Sequence, residues 1–163
     1  MSKAVSKQTR NCLLVLFLSS IGYASWGQSF TATVKLTLVN PITLTEEKGV
    51  DFGLIHLVDG GQCNMAPATG MLSGDACGTS AADKSVINIS GSKGLAVSVS
   101  LSESNTVSGV QFIPRLFNGT DDNLNFVLSD FTHSINIGGS LLISDAATAG
   151  PASLSYGVEV MYQ

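Results

Sequence analysis

Apolar residues recur at every second position near both ends of the 163-residue chain, a pattern that few structures other than β-sheets accommodate. Near the N-terminus Thr or Lys separates the members of an apolar row, Phe30, Ala32, Val34, Leu36 and Leu38. Near the C-terminus a second row consists of Leu154, Tyr156, Val158, Val160 and Tyr162. A period of two places alternate side chains on opposite faces of a strand, so both segments are predicted to be half-buried strands.

The sequence between these segments shows the same period in shorter runs. We predict a turn at 46–49 and further strands at 42–45, 50–55, 86–90, 95–101, 110–113, 124–128, 135–137 and 140–143. Residues 59–84 have no sustained period and are rich in Gly, Ala, Asp and Ser, which predicts a long surface loop. No run of ten residues has the period of an amphipathic helix. The expected fold is therefore all-β, an antiparallel β-sandwich forming one domain over residues 28–163.

Residues 1–27 have the layout of a secretory signal peptide. The first ten residues hold three bases, Lys3, Lys7 and Arg10. An apolar stretch follows from Cys12, but two serines interrupt it and it is shorter than the roughly 20 residues needed to span a membrane. A cleaved signal is therefore favoured over a membrane anchor. Small residues predict cleavage after Ala24 or Gly27, and we expect the mature chain outside the cytoplasm.

The cysteines agree with export. Loss of Cys12 with the signal leaves Cys63 and Cys77, an even pair that predicts a disulfide in an oxidising compartment. A bound metal is the competing interpretation. It is disfavoured because His56 and His133 are far apart in sequence and no Cys-x-x-Cys motif occurs. We predict neither a metal site nor a cofactor.

Charge and motifs exclude several functions. From Gln28 onward the chain has five Lys and Arg residues and all twelve of its Asp and Glu residues. It therefore lacks the basic surface that nucleic-acid binding requires. His133, between Asp130 and Ser134, is the one candidate for a hydrolytic group. Neighbouring residues on a strand point to opposite faces and rarely assemble a catalytic triad. A surface histidine is the favoured interpretation, and we expect no enzymatic activity.

The N-terminal strand leaves two hypotheses open. A regular apolar strand at a sheet edge promotes aggregation unless charge, proline or a bulge protects it, and residues 29–39 carry a single Lys. The strand either packs into its own sandwich, giving a self-complete secreted monomer that acts as a binding or adhesive module, or it completes the sheet of a neighbouring subunit.

Motifs at both ends resemble those of bacterial pilus subunits. Tyr162 is penultimate, the apolar row extends back to Leu154, and Gly150 is the fourteenth residue from the C-terminus. This combination resembles the C-terminal signature of chaperone–usher pilus subunits. Residues 32–44, interrupted by a proline, resemble the N-terminus of class 5 (alternate-chaperone) fimbrial major subunits. The mature chain is also similar to a pilin-like family of bacterial secreted proteins described only as a domain of unknown function.

The resemblance implies an immunoglobulin-like sandwich that lacks one strand. In such subunits a groove beside the C-terminal strand holds first a strand of a periplasmic chaperone and then the N-terminal segment of the next subunit. Residues 28–40 would be the donor segment, and the C-terminal row with Gly150 would form the groove. The implied partners are identical or related pilin subunits, the chaperone, an outer-membrane usher and a host surface, and the implied location is the periplasm and then the cell surface.

Overall fold

The computed structural model describes residues 31–117 and 122–163. The predicted signal peptide and Phe30 lie outside the described residues. The chain divides into two compact units, Met1–Thr37 and Leu38–Gln163. In the first unit, residues 31–37 form no strand and their side chains are exposed. All the strands below belong to the second unit.

The described residues are all-β, with nine strands, antiparallel pairing and no helix. The strands are β1 (Thr43–Lys48), β2 (Gln62–Met65), β3 (Leu72–Ser73), β4 (Ser85–Ser90), β5 (Ala96–Ser102), β6 (Val110–Leu116), β7 (Asn123–Val127), β8 (Thr132–Ile143) and β9 (Gly157–Tyr162). One sheet has the order β1-β4-β8-β2-β3 with β6 also paired to β8, and the other has the order β7-β5-β9. The predicted all-β antiparallel β-sandwich is confirmed.

Strand β8 organises the larger sheet. Ile137 pairs with residues of both β4 and β6, and Leu141 pairs with residues of both β2 and β6. Strands β4 and β2 therefore follow each other along one edge of β8, and β6 lies along the other. The change of partner occurs at Gly138 and Gly139, where a Cβ would overlap the main chain at Met65 or Ile113. Glycine is needed there because the neighbouring backbones approach so closely.

Two apolar clusters pack against the larger sheet. In the first, isoleucines of β4 and β8 pack with side chains of β5, β7 and β9, including Val99, Val158 and Val160. In the second, Cys63, Phe112 and Leu141 form a core covered by the segment around Phe52. Side chains alternate between buried and less buried along β4, β5 and β8, as period-two strands require.

Three local predictions were wrong. Residues 59–84 are not simply a loop, because β2 and β3 lie there and β2 pairs with β8. The predicted turn at 46–49 is largely strand, since β1 continues to Lys48 through an irregularity after Glu46. The strand predicted at 50–55 is reduced to isolated bridges at Asp51 and Ile55. Tertiary pairing decides each of these cases rather than local sequence.

The predicted N-terminal strand also differs. Over the described part, residues 31–40, no strand forms and the side chains are exposed. A β-strand depends on main-chain hydrogen bonds to a neighbouring strand. Among residues 31–117 and 122–163 no strand pairs with this segment. The segment therefore has the sequence pattern of a strand but no pairing partner in the described structure.

Candidate functional site

A groove separates the first and last strands of the sandwich. Within the described residues β1 pairs only with β4, and β9 pairs only with β5. Each strand therefore has a second edge whose main-chain groups are available for pairing. The two edges face a common cavity of about 420 Å³, lined by Leu44 and Glu46 on one side and by Tyr156 and Val158 on the other. Ile87 of β4 forms part of its floor.

A larger cavity of about 850 Å³ continues the groove away from Tyr162. It lies between residues 49–57 and residues 148–154, and Phe112 and Leu141 contribute to its lining. Glu46, Leu154 and Tyr156 border both cavities. Apolar side chains such as Ile87, Leu154 and Val158 line the two cavities together with exposed polar and main-chain groups, so the groove can accept apolar side chains as well as main-chain hydrogen bonds.

The C-terminal row is largely placed as predicted. Strand β9 begins at Gly157, later than expected, but the side chains keep the predicted alternation on to Tyr162. Leu154, Tyr156 and Val158 line the groove, and Val160 packs on the first apolar cluster. Gly150 lies in the wall of the larger cavity with a φ of 152°, a value that favours glycine.

Hydrogen bonds of Tyr162 connect the end of β9 to Asn40 and Ser92. Its hydroxyl donates a hydrogen bond to the Asn40 carbonyl oxygen, with an O···O distance of 2.8 Å. The same hydroxyl accepts a hydrogen bond of 2.7 Å from the Ser92 N–H. The Asn40 N–H in turn donates to the Ser92 hydroxyl, at 2.7 Å. The point at which the N-terminal segment meets the domain is thus fixed to the end of the last strand.

Tyr156 and Glu46 are the ionisable side chains that border both cavities among the described residues. The Tyr156 ring packs edge-on against Phe112, with ring centroids 5.3 Å apart. Burial raises the pKa of the Tyr156 hydroxyl above its usual value, the Ser85 hydroxyl acts against this rise, and the negative charge of Glu46 adds to it. Tyr156 is therefore neutral at physiological pH, and Glu46 is the one carboxylate bordering both cavities among the described residues.

The predicted donor side chains are exposed where the structure describes them. Leu38 is 90% exposed, Val34 82% and Leu36 71%, and Ala32 is exposed as well. Phe30 lies outside the described residues. A continuous apolar row at this level of exposure is uncommon on monomeric proteins.

The other predicted sites have separate outcomes. Cys63 and Cys77 form the predicted disulfide, with Cα atoms 4.9 Å apart. His133 is not simply a surface residue, because its ring packs on Phe126 at a centroid distance of 4.3 Å. His133 does not form a hydrolytic group with Asp130 and Ser134. Asp130 forms an ion pair with Lys93, and the Ser134 hydroxyl bonds to Asn88. In the described ranges no three potential metal ligands of the His, Cys, Asp and Glu types cluster.

The resemblance implied a groove beside the C-terminal strand, but the opposite wall of the groove and its width could not be predicted from sequence. Its second wall, residues 49–57, has no sustained apolar alternation, and its width depends on how the two sheets pack.

Comparison with known protein families and with curated proteins finds no match. Across residues 31–117 and 122–163, no helix has the length and hydropathy to cross a bilayer.

Proposed function

We propose that the protein is a structural subunit of a bacterial surface fimbria that polymerises by donor-strand complementation. Residues 28–40 of one subunit would fill the groove between β1 and β9 of the next. The observation that carries this proposal is the match between an open apolar groove with two available strand edges and an exposed segment with strict apolar alternation. Within the described residues, the groove lacks a strand between its two edges, and the segment lacks a sheet with which to pair.

The energy available is large enough to hold a filament together. Burying the four large side chains Phe30, Val34, Leu36 and Leu38 at roughly 1.5–3 kcal/mol each contributes about 6–12 kcal/mol. That is comparable with the stability of a whole domain. Main-chain hydrogen bonds to the two strand edges would add register and direction. A subunit with an empty groove should accordingly be marginally stable.

The positions of the two ends of the groove favour a donor strand antiparallel to β9. Such a strand leaves the groove near Leu154, so the domain that supplies it lies beyond that end. In the subunit that supplies the strand, the donor segment joins its own domain at Asn40, beside Tyr162. The Tyr162 end of that subunit would therefore meet the Leu154 end of the subunit that receives the strand. This head-to-tail contact repeats and gives an open polymer. A parallel strand would bring two Tyr162 ends together and stop at a pair.

The alternative is a self-complete monomer that serves as a secreted binding or adhesive module. It would need residues 39–41 to turn sharply so that residues 30–38 pair with β1. Both main-chain polar groups of Asn40 are already bonded, to Ser92 and Tyr162. Pro41 also restricts Asn40 to extended conformations. These two constraints favour donation to a neighbour over folding back.

The remaining partners in the proposal follow from the pilin resemblance. A periplasmic chaperone would cover the groove before assembly, an outer-membrane usher would receive the subunit, and the finished fimbria could contact a host surface. Export by the predicted signal peptide would come first. The Cys63–Cys77 disulfide is weakly consistent with an oxidising compartment.

Gel electrophoresis of protein sheared from the native cell surface tests the proposal. In detergent without boiling we expect a ladder at multiples of the subunit mass, and after boiling a single band. That pattern is expected of a non-covalent polymer held by inserted strands. A plentiful protein that runs as a monomer in both lanes would contradict the proposal and favour the self-complete sandwich.

A further inference from the structure

We infer that the donor strand is held in one register, in which Lys35 of one subunit lies beside Glu159 of the next copy of the chain. This inference rests on the proposed function and names the residues that give the strand its specificity. In the same register Ala32 lies beside Tyr162. Two independent features of the groove lead to this assignment.

The geometry of β9 limits the possible registers. Gln163 N–H donates to the Ala96 oxygen, and Ser98 pairs with Met161. The odd-numbered residues of β9 therefore bond to β5, and the even-numbered residues turn their N–H and C=O groups to the open edge. Even-numbered side chains of β9 also point inward. An antiparallel donor with its even side chains inward can slip only in steps of two residues.

Charge selects one of these registers. Lys35 is the one charged residue in the segment 28–40, and Glu159 is the one charged residue from Gly150 to the C-terminus. Both belong to outward-facing rows, because Glu159 is exposed on β9 and Lys35 is odd-numbered like it. Glu159 has no ion pair within the described parts of the chain. Opposite charges placed directly across two strands stabilise the pair, and a non-hydrogen-bonded position brings the side chains closest.

The size of the side chains selects the same register. Ala32 is the one small member of the donor row, and pairing Lys35 with Glu159 places it beside Tyr162. The Tyr162 ring is already held against Gly91, where a Cβ would clash with its hydroxyl. Because Asn40 and Ser92 also hold the Tyr162 hydroxyl, this large ring cannot move aside for a bulky donor side chain.

The bulkier donor residues then reach the wider part of the groove. Val34 lies beside Val160, Leu36 beside Val158 and Leu38 beside Tyr156. The cavity of about 420 Å³, which Val158 and Tyr156 line, would take Leu36 and Leu38.

In the two neighbouring registers Lys35 no longer lies beside Glu159, and Ala32 no longer lies beside Tyr162. A slip of two residues in one direction places Lys35 beside Gly157 and Phe30 against Tyr162. A slip in the other direction places Lys35 beside Met161 and Val34 against Tyr162. Neither pairs the single donor charge directly with an acid.

Cysteine cross-linking in the assembled polymer tests the register. The variant with Lys35→Cys and Glu159→Cys should give a ladder that survives boiling without reductant and collapses with reductant. The matched variants combine Lys35→Cys with Gly157→Cys or with Met161→Cys, and their ladders should collapse on boiling alone. A boiling-resistant ladder from either matched variant instead, or from none of the three although the polymer forms, would overturn the register. A wild-type protein that forms no polymer would instead refute the proposed function.

Charge reversal gives a second, independent measure. The rate at which sheared polymer dissociates in warm detergent should rise about threefold to tenfold in Lys35→Glu and in Glu159→Lys, because an attractive cross-strand pair becomes repulsive. The variant carrying both changes should return to within about twofold of wild type. Glu47→Lys, the same charge change on the β1 side, is the control and should have little effect. Equal effects of Glu47→Lys and Glu159→Lys, or no recovery in the double variant, would overturn the pairing.

Discussion

The hydroxyl of Tyr162 joins the end of the last strand to the Asn40 carbonyl at 2.8 Å, across most of the chain. Through Ser92, which bonds to both residues, it ties three segments at one point. The arrangement places the start of the N-terminal segment at a defined end of the groove. A tyrosine predicted from sequence to belong to a binding strand therefore also orients the segment proposed to bind.

Removing this hydroxyl should weaken both the domain and the polymer. We expect Tyr162→Phe to lower the free energy of unfolding by about 1–2 kcal/mol, because two hydrogen bonds are lost while the ring remains. Urea unfolding of the purified mature subunit measures this, and the yield of boiling-sensitive polymer from cells should fall with it. Ser140→Ala is the matched control, since it removes a hydroxyl that bonds to Asn64, away from both Asn40 and the groove. Equal polymer yields from Tyr162→Phe and wild type would argue against an orienting role.

A charge in the inward row of the donor should prevent assembly. Val34→Asp and Leu36→Asp each remove about 1.5–3 kcal/mol of apolar burial and would place a carboxylate in an apolar groove. We expect no surface polymer from either variant by the unboiled detergent gel, although the signal peptide is still cleaved.

The outward row supplies the control for that experiment. Thr33→Asp and Thr37→Asp add the same charge to the same segment but on its solvent-facing side, so polymer should still form. If all four variants polymerise, the inward row does not fill a groove. If all four fail, the segment matters for a reason other than its apolar face.

Sequence periodicity predicted strands well where a single face is buried. The C-terminal row from Leu154 to Tyr162 and the strands β4 and β5 follow a period of two, and their side chains are placed accordingly. Strand β2 escaped prediction because Cys63 and Met65 are buried by pairing with β8, in a segment dominated by small and polar residues. The groove was implied by resemblance only, since the gap between β1 and β9 depends on the packing of two sheets.

The disulfide should contribute measurably to stability, because it joins buried β2 to the segment that ends at Cys77. Replacing both cysteines with serine releases a loop of about 15 residues and should cost about 3 kcal/mol in the chain-entropy account. Urea unfolding of the mature subunit with and without the two substitutions measures the difference. A loss below about 1 kcal/mol would show that the bond orders only its own loop.

The last prediction concerns alkaline pH and follows from the burial of Tyr156. Its pKa in the folded subunit is raised above the ordinary value of 10.0, chiefly by burial. The unfolded chain therefore loses this proton more readily than the folded one, and ionisation favours unfolding. The corresponding stability is fully present below pH 10 and is lost as the pH rises towards the folded-state pKa. Urea unfolding at a series of pH values should show that the stability of wild type falls more steeply above pH 10 than that of Tyr156→Phe. Parallel pH profiles for wild type and Tyr156→Phe would show that Tyr156 is solvated, and hence that the apolar floor of the groove is open to water.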